Sequence, residues 1–119
     1  RFWGGTPSIL PYVIAADSIA YIAQFGVDKV RAHNLALLTL LQQQLAAFLV
    51  SPNDKDQCSG TAILDFAKHQ QNVLAELEAA SISVDVRKLG IRISPHIYNT
   101  ASEIQAFIAT VKKVIKAAD

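Results

Sequence analysis

The sequence predicts an α+β fold in which helices pack on one face of a small antiparallel sheet of about three strands. Long segments with apolar residues at spacings of three, four and seven predict the helices, and short alternating segments predict the strands. Of the 119 residues, 51% are hydrophobic and 18% are charged. This composition excludes disorder and indicates one domain with a substantial core.

The N-terminal segment predicts a loop followed by an apolar helix. Gly4-Gly5-Thr6-Pro7 indicates the loop, and the helix runs from about Leu10 to Phe25, with Gly26 as a left-handed cap. Apolar residues and alanines cover most sides of this helix, so we expect it to pack on another domain or a partner subunit. We therefore assign residues 1–26 to an interdomain or dimer-interface segment and residues 27–119 to a C-terminal small domain.

The same apolar surface bears on the size of the protein. Phe2, Trp3, Ile9 and Tyr12 would be exposed on a lone monomer, and the chain contains no methionine. We expect a C-terminal part of a larger protein. The alternative is a small protein that dimerises through its N-terminal helix.

A second helix is predicted from about Val27 to Val50 by one continuous apolar stripe. Glutamines at positions 42–44 interrupt the stripe, and its apolar half is too short for a membrane span. A polar loop, residues 51–60, follows. The stripe consists of Val30, Leu37, Leu38, Leu41, Leu45, Phe48 and Leu49.

Three short strands are predicted in the second half of the chain. Thr61–Phe66 is typical of a buried strand, and a helix follows it from His69 to Ala80. Ile82–Arg87 and Ile91–Ser94 alternate in polarity, which predicts two strands with one buried face each. A turn centred on Lys88-Leu89 joins these two strands.

This turn determines which residues face each other across the two strands. Val86 is expected opposite Ile91, and Asp85 opposite Arg92. Because Ile91 and Ile93 must point into the core, Arg92 points to the other face. There it could form a surface ion pair with Asp85, or its planar set of donors could receive a small carboxylate. The pattern alone leaves both interpretations open.

The last helix is predicted to begin after Thr100. Thr100 and Glu103 have the spacing of a capping box, in which each side chain accepts a hydrogen bond from the other residue's backbone N–H. Lysines at positions 112, 113 and 116 lie near the C-terminal end, where cations favour the helix dipole. The predicted buried face consists of Ile104, Phe107, Ile108, Val111 and Ile115.

Other reactive side chains suit structural roles. One cysteine, Cys58, and three scattered histidines cannot build a zinc site, so no metal is expected. His96 could be an acid or base, but a histidine bonded to the backbone is the simpler interpretation. A single cysteine favours a reducing, cytoplasmic location. The net charge of +1 gives no electrostatic reason to expect nucleic acid or a membrane as partner.

Two separated segments resemble one family. Arg1–Ile9, which contains Gly4-Gly5-Thr6-Pro7, resembles the Gly-Thr-Pro loop of class V aminotransferases. These are pyridoxal-phosphate enzymes of fold type I, and they include cysteine desulfurases and kynureninases. Asp85–Thr100 resembles the family's closing stretch, with Arg-Ile-Ser-Pro-His at 92–96 followed by Tyr-Asn, and Gly60–Leu64 resembles the first strand of its small domain.

The resemblance implies roles for three residues. Arg92 matches the arginine that binds the α-carboxylate of the amino-acid substrate. Thr6, with Gly5 beside it, matches the loop that in many members reaches the phosphate of pyridoxal phosphate in the neighbouring subunit of a homodimer. In kynureninase-like members the side chain matching Thr6 lies close to the substrate instead. From the residues alone, the glycine loop could equally be a plain turn before a helix.

The departures from the family also carry information. The Schiff-base lysine belongs to the family's large domain, and no lysine here has a matching context, so this chain alone is expected to be inactive. Desulfurases carry a nucleophilic cysteine in a mobile loop before the substrate arginine, whereas Cys58 lies 34 residues before Arg92. The resemblance therefore favours kynureninase-like or epimerase-like members over desulfurases.

The expected function is that of a C-terminal domain of a pyridoxal-phosphate-dependent enzyme acting on an α-amino acid. A kynureninase-type hydrolase and a non-enzymatic, dimerising α+β module are the alternatives. Transamination, β-elimination, epimerisation and hydrolysis all use this domain in the family, so the sequence does not name the reaction.

Overall fold

The computed structural model describes residues 8–118, and it has the predicted α+β architecture of a three-stranded antiparallel sheet with helices. Short 3₁₀ turns follow the second helix and precede the third. In chain order the elements are α1 (Leu10–Phe25), α2 (Val27–Leu45), β1 (Ala62–Leu64), α3 (Gln70–Ala79), β2 (Asp85–Arg87), β3 (Gly90–Ile93) and α4 (Ala101–Ala118).

Strand β3 is the centre of the sheet, with β1 on one side and β2 on the other. The turn at Lys88-Leu89 gives the predicted register, in which Asp85 pairs with Arg92 and Val86 with Ile91. On its other side, Arg92 pairs with Ile63 of β1. Three residues in register therefore form one row across the sheet: Ile63, Arg92 and Asp85.

The core lies between the sheet and the helices. Ile91 and Ile93 of the central strand are both buried, as the alternation predicted. The Phe48 and Phe66 rings lie 5.1 Å apart and pack at a tilt. The most deeply buried side chains are Leu38, Leu41, Leu45, Leu64, Phe66, Val73, Leu77, Ile91 and Val111.

Helix α2 ends at Leu45 and does not reach the predicted end at Val50. A 3₁₀ turn, Ala46–Phe48, follows it, and Leu49 forms an isolated antiparallel bridge with Leu64. The amide of Val50 donates to the carbonyl of Ile63 at 2.9 Å. Because β1 would otherwise present an unpaired edge, these sheet hydrogen bonds replace the last helical turn.

The strands are also shorter than predicted, and their edges are more exposed. Ile82–Val84 lies outside β2, and β1 covers only Ala62–Leu64. Val86, predicted to lie on the buried face of its strand, is 51% exposed because β2 is an edge strand. In α4, Val114 joins the buried face and Ile115 is only partly buried.

Helix α1 has the predicted bounds, but none of its residues is buried. Gly26 has φ 104° and ψ 114°, which corrects the predicted left-handed helical cap: φ is positive, but ψ is too large for that region. At this glycine the chain bends by 77° between α1 and the segment Val27–Phe48.

No single helix among residues 8–118 is long and apolar enough to cross a membrane. Taken together, α1 and Val27–Phe48 pass the length and composition test for a membrane span, but the two segments are bent by 77° relative to each other.

Gly90 provides a test of the sheet packing. Its φ is +135°, and a Cβ at this position would lie 2.3 Å from the backbone oxygen of Leu64. Gly90→Ala should therefore lower the free energy of unfolding by about 2–4 kcal/mol, because backbone strain and a clash with a fixed strand add together. Chemical denaturation of the 119-residue chain measures this change.

Gly60→Ala is the matched control. Gly60 has no positive φ, and its nearest neighbour would be the amide nitrogen of the Asn34 side chain at 3.3 Å, which can shift. We expect a loss of about 1 kcal/mol or less. Equal losses for the two variants would contradict the close approach of β3 to β1.

Candidate functional site

Arg92 is held by the central strand, on the face opposite the core. The burial of Ile91 and Ile93 on either side of it in sequence forces this orientation. Its side chain is 39% exposed, so the guanidinium is neither in the core nor freely solvated. The site is built around this residue.

The Arg92 guanidinium is paired with Asp85, as the register predicted. Its Nη2 lies 2.6 Å from Asp85 Oδ2. The same Asp85 oxygen also lies 2.6 Å from Nη2 of Arg87. One carboxylate oxygen therefore bridges two arginines. The sequence interpretation did not include Arg87, although residues 85 and 87 of one strand must share a face.

The Nε atom of Arg92 is buried and has no hydrogen-bond partner among the described residues. The contact with Asp85 thus uses one nitrogen of a guanidinium that can offer two parallel donors to a carboxylate. A buried donor without an acceptor is unfavourable, and such a group in a native structure calls for a physical explanation.

A cleft of about 130 Å³ adjoins Arg92. Because one water occupies about 30 Å³ in the liquid, this volume suits a small polar group rather than a large ligand. Its walls come from the segment before β2, the end of β3 and the start of α4. Besides Arg92 they include Ile82, Ser83, Val84, Ser94, Pro95, Asn99, Glu103 and Phe107.

Asn99 organises the loop between β3 and α4. Its side-chain Oδ1 accepts a hydrogen bond from the His96 backbone amide at 2.9 Å, and the Asn99 backbone amide donates to the His96 carbonyl at 2.9 Å. The Asn99 carbonyl accepts a hydrogen bond from Nε2 of His33 in α2 at 3.0 Å. The His96 ring packs near Tyr98, with ring centroids 5.4 Å apart. This wall of the cleft is thus fixed by local bonds and by one contact from a distant helix.

The capping box predicted for α4 is present beside the cleft. The Thr100 amide donates to Glu103 Oε2 at 2.7 Å, and the Glu103 amide donates to Thr100 Oγ1 at 3.3 Å. The hydrogen bond from the Thr100 backbone, followed by that from its side chain, holds the pKa of Glu103 below its usual value of 4.5. Glu103 is thus a structural carboxylate at the helix start.

Cys58 and the other histidine have structural surroundings. Cys58 is 8% exposed, and Nη2 of Arg31 donates to the carbonyls of Cys58 and Lys55, each at 2.8 Å. His69 precedes the first residue of α3, and its amide donates to the Phe66 carbonyl. Among residues 8–118, no group of three histidine, cysteine or acidic side chains is placed to hold a metal ion.

The two residues implied to contact the cofactor, Gly5 and Thr6, lie outside the described residues. The cleft lining contains no lysine that could bind pyridoxal phosphate covalently. The guanidinium of Arg92 is the one cation of this lining, and its planar donors match a small carboxylate.

No protein-family model matches the chain. A protein described as a probable cysteine desulfurase, from Pyrococcus abyssi, is 25% identical over 98% of this chain and 33% of its own length. A kynureninase from Shouchella clausii is 26% identical over 94% of this chain and 28% of its own length. The resemblance to class V aminotransferases is confirmed. At nearly equal identity, these two relatives do not favour either subgroup.

The solved structures show the same fold. The apo structure of a cysteine desulfurase from Thermococcus onnurineus covers 98% of this chain with a TM-score of 0.86 and 22% sequence identity. This chain covers 34% of that one. It thus spans about a third of the length of the class V relatives that it matches.

Glu103 provides a test of the wall of the cleft. Its folded pKa is lowered, so the ionised form stabilises the fold fully above about pH 4.5, and this contribution is lost as the pH falls through the lowered value. Between about pH 5 and 3 the wild-type chain should lose more stability than Glu103→Gln, which keeps a hydrogen-bonding side chain but does not titrate there. Thermal unfolding followed by circular dichroism at each pH measures the difference.

Thr100 supplies the matched pair of variants for the other half of the box. Thr100→Ala should cost about 1 kcal/mol, while Thr100→Ser should cost little, because serine caps a helix at least as well as threonine. Parallel pH profiles for wild type and Glu103→Gln, or equal losses for the two Thr100 variants, would show that the box does not stabilise α4.

Proposed function

We propose that this chain supplies the C-terminal small domain of a pyridoxal-phosphate-dependent enzyme of the class V aminotransferase type. In this proposal Arg92 binds the α-carboxylate of an amino-acid substrate. The observation that carries it is the Arg92 guanidinium itself, which lies beside a small cleft with a buried Nε that lacks an acceptor. The family resemblance of residues 85–100 implies the same role for Arg92.

The chemistry of the cleft supports a small anion such as a carboxylate rather than a metal. Its charged groups are one guanidinium, which matches the planar geometry of a carboxylate, and Glu103, whose oxygen is engaged by Thr100. Serine and asparagine side chains complete the polar part of the lining. Orienting the substrate is the contribution that these residues can make to a reaction at a cofactor held elsewhere.

The exposed helix α1 supports a larger assembly. Large apolar side chains of α1 and its neighbours are mostly more than half exposed, among them Ile9, Leu10, Tyr12, Val13, Ile14, Ile19 and Tyr21. A surface of this kind is typical of an interface. We propose that residues 1–26 pack on the enzyme's large domain or on the second subunit of a homodimer, and that residues 27–119 form the small domain.

Cys58 bears on the reaction. A nucleophilic cysteine has to be accessible, whereas Cys58 is only 8% exposed. This surrounding favours a kynureninase-type or epimerase-type reaction over desulfuration. The substrate proposed is therefore an α-amino acid whose chemistry does not need a cysteine from this domain.

Arg92 variants test the proposal in the enzyme that contains this chain. Arg92→Ala should raise the KM for the amino acid about 30-fold or more, because charge-assisted hydrogen bonds to a carboxylate are lost, while the absorbance of the bound cofactor stays unchanged. Arg92→Lys should rescue little, since a point charge cannot make the two-pronged contact. Steady-state kinetics and the visible spectrum give both measurements.

Lys88→Ala is the control, because it removes a positive charge from the same hairpin without touching the cleft lining. It should leave KM near the wild-type value. An unchanged KM in Arg92→Ala would refute the assignment of the carboxylate site.

A further inference from the structure

We propose that Asp85 is an internal carboxylate that occupies Arg92 until a ligand carboxylate displaces it, and that Arg87 retains Asp85 after the exchange. The inference rests on the proposed function, in that Arg92 must be the receptor of an external carboxylate. It adds two positioning residues, Asp85 and Arg87, which set how easily Arg92 becomes available.

The first support is the shared oxygen. Asp85 Oδ2 lies 2.6 Å from Nη2 of Arg92 and 2.6 Å from Nη2 of Arg87. The side chains of Asp85, Arg87 and Arg92 are 43%, 53% and 39% exposed. A carboxylate already bound to both cations can leave one of them by side-chain rotation alone, without leaving the other and without any movement of the strands.

The second support is the incomplete way in which Asp85 satisfies Arg92. The ion pair engages Nη2, while the buried Nε finds no acceptor among residues 8–118. Nε has essentially no accessible surface in this conformation, so a carboxylate that engages Nε and Nη2 together, and satisfies both donors, requires the Arg92 side chain to turn as Asp85 leaves it. Such a ligand competes with Asp85 for Nη2, and two carboxylates beside one guanidinium repel each other. Binding of the ligand therefore favours departure of Asp85.

The third support is the charge balance of the cluster. Asp85, Arg87 and Arg92 together carry a charge of +1, so the cluster attracts an anion even while Asp85 is in place. With a ligand carboxylate on Arg92 and Asp85 on Arg87, two cations and two anions form two pairs. Without Arg87, Asp85 would have Arg92 as its remaining partner and would compete more strongly for it.

Asp85 could instead only orient Arg92, and the two roles predict opposite signs. If Asp85 competes with the ligand, its removal strengthens carboxylate binding. If it only orients the guanidinium, its removal weakens binding. The affinity of Asp85→Asn for a simple carboxylate therefore decides between these roles.

The experiment titrates the 119-residue, ¹⁵N-labelled chain with acetate at constant ionic strength and follows the side-chain Nε–Hε resonance of Arg92. Asp85→Asn should bind acetate about two- to five-fold more tightly, the range expected from losing one partly exposed ion pair. Arg87→Gln should bind acetate more weakly by a similar factor. Arg87→Lys should restore most of the affinity, since it returns the positive charge.

The double variant and a charge control make the result specific. In the Asp85→Asn background, Arg87→Gln should have a smaller effect than in the wild type, because Asp85 is the group through which Arg87 acts. Glu103→Gln removes a negative charge from the same cleft, but Glu103 bonds to Thr100 and not to Arg92. It should strengthen acetate binding less than Asp85→Asn does.

The outcomes separate this inference from the proposed function. Unchanged or weaker acetate binding in Asp85→Asn, or equal strengthening in Glu103→Gln, would overturn the exchange while leaving Arg92 as the receptor. If acetate leaves the Arg92 Nε–Hε resonance unshifted in the wild type and in every Asp85 and Arg87 variant, or if Arg92→Gln shows the same acetate-induced shifts of neighbouring backbone amides as the wild type does, both the exchange and the receptor role fail.

Discussion

The central strand β3 is the constraint on which the rest of the structure depends. It is hydrogen-bonded on both sides, and the burial of Ile91 and Ile93 fixes its register against the helices. A slip of one residue would place a guanidinium in the core and two isoleucines on the opposite face, so the register is strongly specified. The position of the Arg92 guanidinium is thus a consequence of core packing, and no further contact is needed to place it on this face.

Two walls of the cleft are also fixed by local hydrogen bonds. Two hydrogen bonds between His96 and Asn99 close the turn, one from the His96 backbone amide to Asn99 Oδ1 and one from the Asn99 backbone amide to the His96 carbonyl. Nε2 of His33 in α2 donates to the Asn99 carbonyl of the same turn. The next residues begin α4 with a reciprocal capping box. Because these two walls are held by their own bonds, their shape does not depend on a ligand, which is the preorganisation that a receptor site needs.

Local rules were sufficient for much of this architecture. The spacing of Lys88-Leu89 predicted that Asp85 faces Arg92, and the Thr100–Glu103 spacing predicted the capping box. Local rules failed where distant backbone competes: α2 ends early because Leu49 bridges to Leu64, a pairing far apart in sequence. The second partner of Asp85 could have been predicted, since strand alternation places Arg87 on the same face. The unsatisfied Nε of Arg92 could not, because it depends on atomic packing.

The exposure of the Asp85–Arg92 pair reconciles two opposing needs. The fold needs the arginine paired, because a partly buried guanidinium without an anion is unfavourable. A receptor needs the same arginine available. In a fully buried pair, desolvation of a departing carboxylate would make exchange costly, whereas a fully exposed pair would be too weak to hold the side chain in one place. At 39% and 43% exposure the pair lies between these limits. Arg87 then gives the displaced carboxylate a second cation, so that neither charge is left alone when the partner changes.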